Sequence, residues 1–215
     1  FLRAGQKPAR GMVAPLPGYP SVQMLPVTVA GRALDAMSFD PPAARELLRG
    51  EGLANLELSL IAVVRPKSKE IAEIVQKQWH EHLGIRLKVS FREETVWEQT
   101  LIQKQYPQII EDTWTMFVDD PYDFLVQVGP AHTYTWTDPE FDQAFSHANA
   151  ITDPDRRMHA MAACETQMMK AMPTVPIFHD TWAHLEAPYL RGVRPNPFGS
   201  PRFKYAWIDT NWKPQ

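Results

Sequence analysis

At 215 residues, 44% of them hydrophobic and with a formal net charge of −3, the chain has the makeup of a globular protein and no basic surplus to attract nucleic acid. It contains no run of eighteen apolar residues to cross a bilayer, and its single Cys164 excludes an intramolecular disulfide and a cysteine-rich metal site. Phe1-Leu2-Arg3 does not open a secretory signal, and without an initial Met the chain reads as a mature or trimmed piece of something longer.

Residues 1 to 38 show no sustained period. Prolines crowd both ends, and Pro15 to Pro20 is turn and polyproline material, so these ends are expected as extended coil against other structure. Asp40 before Pro41 marks an N-cap, and the spacing predicts a helix over 41–49 with Leu47 and Leu48 inward. Leu56, Leu58, Leu60 and Ala62 then alternate with Glu57, Ser59 and Ile61 and run into Val63-Val64, a strand that Arg65-Pro66 stops. From Ser68 to Leu83 the period is helical, with Ile71, Ile74, Val75, Trp79 and Leu83 on one face and Gly84 placed as a left-handed C-cap. Ile85, Leu87 and Val89 form a second strand. A connecting helix of about 24 Å returns that strand parallel to the first, which makes the chain an α/β sheet protein.

Further along, a helix is expected from about Thr95 to Lys104 with Val96, Leu101 and Ile102 inward, then an unusually polar strand from Gln108 to Trp114. Phe124-Leu125-Val126 is a short apolar segment. Asp138-Pro139 and Asp153-Pro154 each start a helix, running to about Ala148 and Lys170; Met158, Met161, Ala162, Cys164, Glu165 and Met168 share a face of the second. On that face Cys164 reads as core filling. The charge groups Arg92-Glu93-Glu94 and Asp155-Arg156-Arg157 read as solvated caps. Residues 173–178 are extended, and short strands are possible at Trp182 to Glu186 and Tyr205 to Ile208.

Taken in order, FDPPAARELLRGEGL at 39–53, the strand, helix and strand of 57–89 with their HLGI turn, and TWTMFVDDPYDFL at 113–125 form the first half of a pattern. TDPEFDQAF at 137–145, the stretch from Ile151 to His179 and RGVRPNPFG at 191–199 complete it. Together they resemble the carboxy-terminal part of the family-5 extracytoplasmic solute-binding proteins, which serve dipeptide, oligopeptide and nickel ABC importers. The resemblance implies a periplasmic-binding-protein-like lobe, a mixed sheet flanked by helices, plus a C-terminal extension belonging to the other lobe. Residues 1–173 would be the second lobe, 174–180 a hinge strand and 181–215 a return segment of the first lobe. The implied partners are a small-molecule ligand, the importer's permease and a missing amino-terminal lobe. The implied setting is periplasmic or extracytoplasmic, at the membrane only through the importer.

Trp114 to Asp120 follows a strand, and open α/β sheets bind ligands at the carboxyl ends of strands. Trp114 and Phe117 offer apolar walls there, or else core for the loop. In peptide-binding members of the resembled family an Asp three residues after this Trp meets the ligand's amino terminus; Phe117 stands at that position and cannot neutralise an ammonium. That brings forward Asp119, Asp120, Glu111 and Asp112, with turn capping ahead of Pro121 as the competing role for Asp119 and Asp120. The expected ligand contacts are Trp114, Phe117, Asp119, Asp120, Tyr122 and His179. The seven histidines are scattered, His80 and His82 fall on different helix faces, and no metal or cofactor is expected.

The sequence therefore points to a non-enzymatic piece of a solute receptor that captures a peptide-like molecule, an amine or another small solute by lobe closure. Two alternatives stay open. One is a small α/β enzyme using Glu111, Asp112 and Asp119 as acid and base. The other is an interaction module whose proline-rich ends and Trp182, Tyr189, Phe203, Tyr205, Trp207 and Trp212 await a covering partner.

Overall fold

The computed structural model describes residues 5–22, 26–129, 134–181, 185–194, 196 and 201–213. Its first elements are β1 (Lys7–Pro8), β2 (Val27–Val29), β3 (Arg32–Leu34) and α1 (Pro41–Gly50). β2 and β3 form an antiparallel hairpin that the aperiodic opening residues concealed, turning at Ala30 and Gly31, both at positive φ. The Asp40 carboxylate caps α1 by accepting from the Ala43 amide at 3.1 Å. Leu47, however, is exposed and Leu48 only half-buried, because α1 buries little beyond Ala43.

The parallel unit follows: β4 (Glu57–Val63), α2 (Pro66–Leu83) and β5 (Arg86–Arg92), with Leu58 opposite Leu87 and Leu60 opposite Val89. Gly84 caps α2 at φ +73°, the left-handed turn that starts β5. Leu60, Ala62, Ala72 and Leu87 make the core between sheet and helix. Val64 is exposed, since the strand has already ended and its amide bonds the Arg92 carbonyl at 2.8 Å.

Next come α3 (Glu94–Ile102) and β6 (Ile109–Ile110), which joins β4 on its other side, also in parallel, for a sheet order β5-β4-β6. The expected strand over 108–114 is thus cut to two residues. Glu111 still gives its amide to the Ile61 carbonyl at 2.8 Å, and beyond it the polar residues turn off the sheet. On α3 only Leu101 is buried, while Val96 and Ile102 stand exposed.

A second, all-helical core lies beside the sheet. α4 (Tyr122–Val128), α5 (Pro139–Asn149) and α6 (Pro154–Ala171) pack around Leu125, Phe141, Met161 and Met168, each with essentially no exposed surface. Asp138 and Asp153 cap α5 and α6 through the amides of Glu140, Phe141 and Arg156. Rings stack in series from Tyr122 to Phe145 at 5.4 Å and on to Phe141 at 5.9 Å, with Trp136 edge-on at 5.2 Å. Cys164 sits in this core, its thiol pushed up by burial. Phe124-Leu125-Val126 is part of α4.

β7 (Phe178–His179) pairs antiparallel with β1, bringing the segment after α6 back to the opening residues, and β8 (Leu190–Arg191) pairs antiparallel with β9 (Trp207–Ile208). Parallel and antiparallel pairings therefore both occur, in separate sheets. Most of the strand expected over 182–186 lies outside the described residues.

Candidate ligand-binding site

Parallel strands bring all their carboxyl ends to one edge, and there the chain must turn into loops that leave a crevice. β4 ends at Val63 and β6 at Ile110. Arg65 and Glu111 to Trp114, which follow them, line a pocket of about 250 Å³ closed on one side by Trp97, Glu98, Leu101 and Ile102 of α3. The Trp97 indole N–H donates to the Glu111 carbonyl at 3.0 Å, so α3 is fastened to the end of β6.

Glu111 is the most constrained acid of this pocket. Its Oε1 accepts from Ser68 Oγ at 3.0 Å, while Oε2 is buried and, among the described residues, has no hydrogen-bond partner; the same is true of Trp114 Nε1. Burial pushes the Glu111 carboxyl above the usual range, with the Ser68 hydroxyl, the Val63 amide and Arg65 pulling it down and Asp112 adding to the rise. Asp112 accepts from Tyr134 Oη and from the Thr113 amide, both at 2.6 Å. Burial, then the neighbouring Asp112, pushes the Tyr134 hydroxyl far up, so it remains a donor. Arg65 forms an ion pair with Glu94.

The loop after Trp114 is shaped by a buried carboxylate. Asp123 Oδ2 accepts from the amides of Phe117 and Val118, and this turn holds Phe117 outward, 72% exposed, edge-to-face with Trp114 at a ring separation of 6.0 Å. Asp120 caps the same loop by accepting from the Tyr122 amide at 2.8 Å, and its other oxygen meets Arg157 at 2.5 Å. Arg157 also reaches Asn149 at 2.8 Å. It is thus a half-buried clamp holding α6 to the loop before α4 and to the end of α5, where a solvated cap was expected, because Asp120 approaches from a loop distant in sequence. Val118, Asp120, Tyr122, Asn149 and Arg157 line a second, open depression of about 330 Å³.

The expected contacts accordingly separate. Trp114 lines the pocket, Phe117 stands beside it, Asp120 and Tyr122 face the second depression, and Asp119 is exposed on the loop between. His179 lies in β7 opposite Lys7, half-buried, its imidazole held toward the neutral form by burial. The next residue, Asp180, ties this strand to the start of α2 through Lys67 at 2.5 Å. Burial raises the Asp180 carboxyl, but the hydrogen bonds from Lys67, Thr181 and Gln6 outweigh it and hold it below the usual range. Of the three acids in the enzyme alternative, Glu111 and Asp112 share the pocket and Asp119 lines neither depression. Among the described residues no three His, Cys, Asp or Glu side chains converge as a metal site.

Arg65, Trp97, Glu98, Leu101 and Ile102 line the pocket but were not among the residues expected at the site; Leu101 and Ile102 were read only as the inward side of a helix. Trp97 and Leu101, four apart, did signal a helix face, but not that this face overlooks a strand end.

A three-stranded parallel sheet with a pocket at its carboxyl edge, and a strand, β7, whose neighbour Asp180 is tied to α2, make an α/β fold of the periplasmic-binding-protein kind. The profile of the bacterial extracellular solute-binding proteins, family 5, middle region, matches residues 1–136, and the chain belongs to that family. The dipeptide-binding protein DppE of Bacillus subtilis is 26% identical over 159 residues, 72% of this chain and 28% of the relative. A dipeptide-binding protein of Pseudomonas aeruginosa is 24% identical over 177 residues, 77% of this chain and 33% of its own length. The chain thus spans about a third of these curated relatives. The solved structure of the Escherichia coli murein tripeptide binding protein MppA superposes with a TM-score of 0.75 at 21% identity, over 95% of this chain and 40% of that one.

Proposed function

We propose that this chain is one lobe and the hinge side of a receptor that captures a small solute of the peptide class for an ABC importer, without catalysing a reaction. The observation that carries the reading is the exposed Phe117 packed edge-on against Trp114, a wall of an acid-bearing pocket at the carboxyl end of the parallel sheet. Residues 1–173 act as the second lobe and 174–180 as the hinge, since β7 crosses to β1 and Asp180 anchors to Lys67. Residues 181–215 return to the first lobe. Their Tyr189, Phe203, Tyr205 and Trp207 are exposed, as expected of a surface that the amino-terminal lobe covers.

Closure follows from differential contact: ligand touching both lobes favours the shut form, which the permease recognises at the extracytoplasmic side of the membrane. Calorimetric titration of the complete protein with a panel of di- and tripeptides tests the reading. Saturable binding of at least one peptide, weakened by Trp114→Ala, is expected; a folded protein indifferent to the whole panel overturns it.

A further inference from the structure

We propose that the pocket between α3 and the ends of β4 and β6 is a subsite for an alkylammonium or guanidinium group, the basic side chain of a peptide ligand; this rests on the reading that the pocket faces the ligand. Three carboxylates, Glu98, Glu111 and Asp112, line it against one cation, Arg65, and that cation is already paired with Glu94. Asp112 accepts hydrogen bonds from the Tyr134 hydroxyl and the Thr113 amide; Glu98 forms no ion pair among the described residues. The Oε2 atom of Glu111 is buried and has no hydrogen-bond partner among the described residues.

The walls fit the same group. Val63, Leu101 and the largely exposed Ile102 offer apolar surface to a methylene stem, and the indoles of Trp97 and Trp114 are rings whose faces attract a cation. An anionic side chain would meet three carboxyl groups here and an arginine already paired with Glu94. A purely apolar one would leave Glu111 as bereft of a partner as before, which is discrimination by an unmet polar group. A basic head on an apolar stem satisfies both the acids and the walls.

The test is calorimetry on the complete protein with trialanine frames in which lysine, or isosteric norleucine, occupies each position in turn. The amino and carboxyl termini are common to both series and cancel. At one position lysine is expected to bind at least about tenfold tighter than norleucine, and this ratio is expected to fall toward one in Glu111→Gln and to shrink in Glu98→Gln. Glu98 is an exposed helix residue, so its variant carries the test if Glu111→Gln melts early. Peptides that bind with no lysine preference at any position, or a preference untouched in both variants, overturn the subsite and leave the peptide reading standing. A protein that melts cooperatively yet binds neither series overturns the peptide reading itself and the subsite with it.

Discussion

Tyr19 Oη donates to Glu165 Oε2 at 2.7 Å, joining residues 146 apart in sequence. The other carboxylate oxygen, Oε1, accepts from the Val13 amide at 2.8 Å, and Gly11 lies so close that a Cβ there would sit 2.5 Å from the same atom. One wholly buried side chain in the middle of α6 thus fastens the proline-rich opening segment to the helical core. Beyond β1, residues 10–22 of that segment belong to no helix or strand that would satisfy their amides, and an acid inside the core accepts from Val13 instead.

Glu165→Ala should cost the fold about 3 kcal/mol, because it orphans the Val13 amide and the Tyr19 hydroxyl and opens a cavity. Glu165→Gln keeps the volume and one carbonyl acceptor and should cost about 1 kcal/mol, as should Tyr19→Phe. Urea unfolding monitored by tryptophan fluorescence measures all three; an unchanged midpoint in Glu165→Ala would remove the clasp from the account.

The same acid should make stability pH-dependent. Burial pushes the Glu165 carboxyl above the usual range, opposed by the Val13 amide, the Tyr19 hydroxyl and the Met12 amide, so the folded chain holds this proton more tightly than the unfolded one. Stability from this group is therefore full at pH below the ordinary carboxyl range, about 4, and is lost as pH rises toward the folded value. Wild type minus Glu165→Gln, compared by melting temperature from pH 4 to 7, should decline with pH. A flat difference would mean that the carboxyl titrates alike in both states.

Two glycines should respond oppositely to alanine. At Gly129, after α4, a Cβ would come within 2.2 Å of the fully buried Phe141 ring, so Gly129→Ala should cost about 1–3 kcal/mol by overpacking. At Gly50, in the last turn of α1, nothing lies within 4 Å, and Gly50→Ala should gain up to about 1 kcal/mol from helix propensity. Thermal melts of the two variants decide the sign of each.

Asp123 holds the loop that presents Phe117. Asp123→Ala removes the acceptor of the Phe117 and Val118 amides, and hydrogen exchange at those two amides should speed by about tenfold or more, against little change at Leu60 or Leu125. Uniform acceleration across the chain would instead mark global destabilisation.

The parallel unit was legible because its signals are local. The alternation from Leu56 to Ala62, the helical period to Leu83 and the left-handed cap at Gly84 each act within a few residues, and the caps Asp40, Asp138 and Asp153 do the same. Phe117, read as either cleft wall or loop core, is exposed and edge-on to Trp114, so it is not core of the loop. Leu47 and Val64 were misjudged since apolar character does not say whether a neighbour arrives to cover it. Arg157 was misjudged for the converse reason, since its partner Asp120 comes from elsewhere in the chain; Glu165 was placed on the inward face where it lies, but its partners Val13 and Tyr19 could not be read locally.

By itself the sequence determined the strand, helix and strand of β4, α2 and β5, their parallel pairing and the capped starts of α1, α5 and α6, since periodicity and caps are properties of neighbouring residues. Only the tertiary structure decided that Trp97 and Glu98 wall a pocket, that Glu111 keeps an unmatched oxygen and that Asp120 is committed to Arg157. Each depends on which distant group arrives within hydrogen-bond reach and excludes water, and no local pattern encodes that.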